Sequence, residues 1–161
     1  MTTHRPSRRR ATTAQALTEF AMVAPWFFLL LFGIIEAGRF IYYYETLNHA
    51  AREGARYAIV NGANTLGCPT GPAADGSSPC DTTGEDVAER VRQAALGLTG
   101  TVSVERCWWY VECNFITHGD GDNARGATVT VAASYTYSSL VPLVPLPPIT
   151  VSAESSLVIN N

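Results

Sequence analysis

The chain has 161 residues, a formal net charge of −3 and no lysine, so one small domain and an anchor account for its length and arginine does all the basic work. Arg5, Arg8, Arg9 and Arg10 crowd the first ten residues, which leaves seven arginines against all fourteen carboxylates in the rest. An acidic remainder with no basic stripe excludes nucleic-acid binding, which needs clustered Lys or Arg.

The first element is an anchor. Phe20 to Ile35 is an apolar run without a charge. Sixteen helical residues span roughly 24 Å, against a bilayer core of about 30 Å. Starting at Leu17 lengthens the span to roughly 28 Å and puts Glu19 at its boundary. The arginines precede the run, so the N-terminus is expected in the cytoplasm and the C-terminal bulk outside a single-pass cell-membrane anchor. A cleaved secretory signal fits poorly, because Ile35 is followed by Glu-Ala-Gly-Arg-Phe and no small-x-small site.

The helical pattern continues past the membrane. Phe40, Tyr44, Leu47, Ala51, Ala55 and Ala58 or Ile59 recur on one face. The spacing predicts one helix from about Thr18 to Val60, with Tyr42, Tyr43 and Tyr44 suited to the outer headgroup layer. Gly33 and Ala37, and then Ala50, Gly54 and Ala58, form small-xxx-small ladders. Such ladders admit a second helix at close range, making them candidates for helix assembly. The outer ladder would serve equally against the chain's own sheet.

Residues 61–161 read as an extracytoplasmic α+β domain, after a basic leader over 1–14 and a helix over 15–60. Asn61 to Gly84 is a loop rich in Gly, Pro, Ser and Thr. Glu85 and Asp86 open a helix whose apolar face is Val87, Val91, Ala94 or Ala95, and Leu98, with Gly100 as its stop. Then the period becomes two. Val102 and Val104, the series Ala127 to Tyr137, and the series Ile149 to Leu157 alternate as half-buried antiparallel strands. Leu140 to Pro148, with its prolines, is a connection. The expected fold is α+β: a long transmembrane and amphipathic helix packed on a small sheet of three to four antiparallel strands, with one further helix.

Four cysteines lie beyond the anchor: Cys68, Cys80, Cys107 and Cys113. Their spacing is unlike a zinc ribbon or a thioredoxin-like site, and an even count outside a membrane favours disulfides. Chain order favours Cys68–Cys80 and Cys107–Cys113, one of three possible pairings. Catalytic fingerprints are missing, so neither an enzyme nor a cofactor is expected. The string from His118 through Asp120, Asp122 and Asn123 offers oxygen ligands that calcium would accept, without the spacing and closing Glu of an EF-hand loop; a plain hairpin loop is the alternative. Trp108, Trp109 and Tyr110 form either an exposed binding tip or packing for the 107–113 cysteine loop.

The N-terminal half carries a resemblance. Its residues are the basic leader, Gln15-Ala16-Leu17, Glu19-Phe20-Ala21, the early Pro25 in a Leu/Phe run, Glu36, Gly38 and Arg39 at the exit, then Asn48 with Ala50 to Ala58. This segment resembles the TadE-like family of the tight-adherence (type IVc) bacterial pilus system. The resemblance implies a minor pilin-like subunit, a pseudopilin, of a Tad/Flp-type pilus assembly, adhesion and secretion machine. It implies other pilins or pseudopilins and the Tad machinery as partners, with homo- or hetero-oligomers formed through the N-terminal helix. It also implies removal of the leader by a prepilin peptidase. Glu19 as fifth mature residue makes Gln15 the first and Ala14 the last of the leader, with Ala where pilins usually have Gly. Two other readings stand beside it: an anchored enzyme, and a signal-anchored extracytoplasmic binding module that uses Trp108 to Tyr110.

Overall fold

The computed structural model describes residues 9–73, 80–98, 100–115, 121–139 and 148–160. In chain order the elements are α1 (Arg9–Val60), α2 (Glu85–Ala94), β1 (Val102–Trp109), β2 (Thr128–Tyr137) and β3 (Ile149–Val158). The fold is α+β, with a long N-terminal apolar helix, one further helix and one antiparallel sheet of three strands in the order β1-β2-β3. The chain divides into two compact units between Arg39 and Phe40.

The first unit holds the apolar half of α1. Pro25 lies inside the helix without ending it, as membrane helices tolerate. Phe20, Met22, Val23 and Trp26 are all more than 60% exposed, and none of the apolar window is buried by the protein itself. An apolar surface this continuous is compatible with a single-pass membrane anchor.

The second unit takes its core from one stripe of α1. Leu47, Ala51, Ala55 and Ala58 recur at three- and four-residue intervals and are fully buried. They pack with Val87 and Val91 of α2 and with the inward residues of β2, among them Val129, Val131 and Ala133. Burying a side chain such as Leu47 contributes about 2 kcal/mol. The sheet is two-faced because its strands alternate. Ala133, at the centre of β2, faces Val104 on one side and Ala153 on the other, all three buried.

Tyr43 is part of this core and not of a headgroup layer. It is 5% exposed, with its ring 5.5 Å from that of Tyr135 and 5.7 Å from that of Tyr137. Tyr42 is also tied to the domain: its hydroxyl donates to the Leu96 carbonyl at 3.2 Å. Aromatic pairing explains why Tyr43 turns inward, while Tyr42 and Tyr44 stay exposed.

Helix α2 stops four residues before the expected Leu98. The Ala95 N–H closes the last turn on Val91 O at 2.9 Å, and the chain then turns through Gly97. At its start the capping group is not the residue next to the helix. Asp81, five positions upstream, accepts the Asp86 N–H at 2.7 Å and the Thr83 N–H at 3.1 Å. Partial burial alone would raise the Asp81 carboxyl's pKa. The backbone N–H groups of Asp86 and Glu85, with the Thr83 and Thr70 hydroxyls, outweigh it and hold the pKa below the usual carboxylate value. The segment 140–147 lies outside the described residues.

Candidate functional site

The region around the expected cut begins α1. The Gln15 amide donates to Glu19 Oε1 at 3.2 Å, one helical turn on, and both residues are exposed. Thr18 Oγ1 returns a bond to Gln15 O at 2.7 Å. The helix therefore presents Glu19 at the head of the apolar run with the neutral Gln15 amide beside it. At the far end of the unit, Glu36 is neutralised by Arg39 at 3.3 Å.

The two small-residue ladders have different surroundings. A Cβ added at Gly33 would meet nothing within 4 Å, and Ala37 is exposed. That ladder is open to a partner. Ala50, Gly54 and Ala58 are buried in the second unit's core. A Cβ at Gly54 would overlap the Val91 Cγ2 methyl and press on Val131 at 3.4 Å and Val87 at 3.6 Å. The outer ladder therefore serves the second unit's own packing, the alternative its spacing left open. The close approach it permits is already taken by α2 and β2.

The cysteines stand at disulfide distance in two pairs, Cys68 with Cys80 (Cα–Cα 5.4 Å) and Cys107 with Cys113 (5.9 Å). The first pair closes the loop that leads to α2. That loop is also stitched to the rest: Thr70 N bonds Asn61 O, Gly71 N bonds Asp81 O and Asn123 N bonds Pro72 O, all at 2.7–2.9 Å.

Of the two readings of Trp108 to Tyr110, the structure favours packing. Trp108 lies in β1, opposite Val129, and is fully buried. Trp109 is half-buried, and its indole N–H donates to Thr130 Oγ1 at 2.8 Å. Tyr110 alone is exposed, and its hydroxyl donates to Asp122 at 2.7 Å; that bond raises its pKa. Two of the three aromatics are thus used in packing, which removes the motivation for a surface platform.

Asp122 also accepts the Ala124 N–H at 2.9 Å, and the buried Asn123 donates to Thr70 O at 3.3 Å. His118 and Asp120 lie outside the described residues. Among the described residues, no three His, Cys, Asp or Glu side chains gather as metal ligands.

These observations leave the apolar first unit as the part with a functional character, and one comparison bears on it. Residues 14–56 match the TadE-like protein family. Neither a curated protein nor a solved structure matches the chain. The TadE-like segment covers the head of α1, the apolar run, the Glu36–Arg39 pair and the core stripe as far as Arg56. It excludes α2 and the sheet. Sequence reading missed two features of the site. Asp81 as the cap of α2 was signalled by Asp-Thr-Thr-Gly directly before the helix start. The groove that Arg52 and Arg56 of α1 form with Ser155 and Leu157 of β3 had no signal, because only the tertiary fold brings its two walls together.

Proposed function

We propose that the chain is a minor pilin-like subunit, a pseudopilin, of a Tad/Flp-type pilus assembly and secretion machine. Its parts would be a basic cytoplasmic leader over 1–14, a transmembrane and extended helix over 15–60 and an extracytoplasmic domain over 61–161. One observation carries the reading: the TadE-like match opens at Ala14, where the leader is expected to end. The exposed apolar half of α1 supports membrane insertion, and the arginines before it support an N-terminus inside. The role is structural and not catalytic. Assembly with other pilins or pseudopilins would run through the apolar helix and its open Gly33/Ala37 ladder.

The orientation has a direct test. Protease added to intact spheroplasts is expected to digest the outer domain. Complete protection would reverse the topology and remove the reading with it.

Processing has a second test. A prepilin peptidase cutting between Ala14 and Gln15 creates an α-amino group four positions before Glu19. A carboxylate within an apolar helix costs at least about 2.5 kcal/mol near the membrane centre, less toward the surface. Pairing with the new ammonium of a neighbouring subunit would offset that cost and fix the stagger between helices. Intact mass is expected to show a chain beginning at Gln15, and Glu19→Ala to leave the cut in place while impairing assembly. A mature chain that keeps Arg8 to Arg10 would end the processing claim. Normal assembly of Glu19→Ala would make Glu19 an ordinary solvated boundary residue.

A further inference from the structure

Among the described residues, the second unit carries two charged patches of opposite sign without partners. Arg90, Arg92 and Arg106 each lie beside a carboxylate. Arg52 and Arg56 do not: both are exposed, and neither meets an acceptor among the described residues. Four residues apart on α1, they leave the same face of the helix about 6 Å apart. With His49 one turn earlier they line a groove of about 450 Å³ whose other wall is Ser155 and Leu157 of β3. Glu53 lies in the same groove, but Arg90 engages it at 3.8 Å. Strand β3 is an edge of the sheet, so the groove runs beside backbone groups without a ladder partner.

The sheet face turned away from α1 has the opposite charge. The register sets Glu105 of β1, Ala132 of β2 and Glu154 of β3 in one row. With strands about 4.8 Å apart, two carboxylates flank a methyl group at a separation of about 10 Å. Both glutamates are exposed, and neither has a partner among the described residues. The next row is Ser103, Ser134 and Ser152, and no strand residue on this face carries a positive charge.

We propose that the domain docks head to tail on a second copy of itself, Arg52 and Arg56 of one copy receiving Glu105 and Glu154 of the next. Charge complementarity names the occupant: a net-positive groove in a chain that is acidic overall, and a matching acidic row on the same domain. The flexible arginine arms cover the difference between the two spacings, and the guanidinium fork suits a carboxylate. The patches lie on different faces, so the contact is heterologous. A docked pair keeps one patch of each kind free, one on each copy, and repetition produces a row of subunits rather than a closed pair. Exposed pairs of this kind set register and selectivity more than affinity. The inference rests on the pseudopilin reading for its main association, which the apolar half of α1 supplies.

The test uses the full chain in native membranes, with a photocrosslinking amino acid in place of Ser155 and two differently tagged copies. Crosslinks are expected to reach peptides of β1 or β3 in the second copy. The doubles R52E/R56E and E105R/E154R are each expected to lower that crosslink about tenfold, equivalent to about 1.4 kcal/mol. Co-expressing the R52E/R56E copy, carrying the crosslinker, with the E105R/E154R copy is expected to restore it. The charge-conserving R52K/R56K double, which separates charge from folding, is expected to retain it. Crosslinks that reach only other proteins, that survive both reversals or that co-expression fails to restore overturn the docking. The mass of the wild-type chain, read separately, decides the pseudopilin reading, so the two failures are distinguishable.

Discussion

Trp108→Ala is expected to unfold the outer domain well below the melting temperature of the parent protein. The indole is fully buried and faces Val129 across the β1–β2 ladder. It is also clasped between two glycines. A Cβ at Gly71 would lie 2.6 Å from Trp108 Cζ2, and one at Gly84 would lie 3.0 Å from Cζ3. Both glycines have positive φ, 94° and 74°, so side chains are excluded there by conformation as well as by space. One ring thus packs against three parts at once: the loop before Cys80, the start of α2 and the sheet. Those parts are held by their own hydrogen bonds and cannot collapse into the space the ring leaves. Truncation of a buried Trp costs about 3–5 kcal/mol, a large share of the roughly 5–15 kcal/mol that holds a domain together. For a domain of this size the midpoint should fall by at least about 10 °C. Thermal proteolysis of the full chain in membranes measures it. Leu66→Ala, at a fully exposed site, is the control and should stay within about 0.5 kcal/mol. An unchanged midpoint for Trp108→Ala would put the indole outside the core and restore the surface-ligand reading.

The same tryptophan shows where sequence patterning stops being legible. The alternation of β2 and β3 is unbroken, and their expected bounds fall within one residue of Thr128–Tyr137 and Ile149–Val158. In β1 the inward row is Val102, Val104, Arg106 and Trp108, because those residues oppose inward positions of β2. An arginine in an apolar row looks like the end of a strand. Here its arm runs along the core surface to reach Thr83 O at 2.8 Å and Glu85 at 2.9 Å, with only its head leaving the apolar layer. The aromatics beyond it therefore read as a loop although the strand continues. Helix α2 fails in the opposite sense. Leu98 keeps the helical period, but Gly97 turns the chain before it. The head of α1 is legible for a different reason: its residues form a family pattern, whereas the expected cut after Ala14 rests on that resemblance and on no geometry.

Gly54→Leu is expected to damage folding and assembly together, whereas Gly33→Leu should damage assembly alone. Both glycines belong to small-xxx-small ladders, and nothing in their spacing separates them. Their surroundings do. At Gly54 even one added carbon overlaps Val91 and crowds Val131 and Val87. These are three β-branched side chains on two elements, each with restricted rotamers and no open space to move into. Overpacking at such a site costs about 1–3 kcal/mol, and the larger leucine should reach the upper end or beyond. Gly54→Ala should show part of the loss, and Val91→Ala on that background should recover some of it, since the two residues touch. Simply additive losses would mean that Gly54 and Val91 are not in contact. At Gly33 the added carbon meets nothing within 4 Å, so the domain's melting should stay within about 0.5 kcal/mol of the parent. Only a helix from another subunit could make a leucine there costly, by holding apart backbones that need to approach closely. Melting and subunit crosslinking are read from the same membranes. Loss of crosslinking with unchanged melting for Gly33→Leu supports a helix interface within the membrane. If neither measurement changes, the Gly33/Ala37 ladder is a lipid-facing surface and assembly must run through another face of α1.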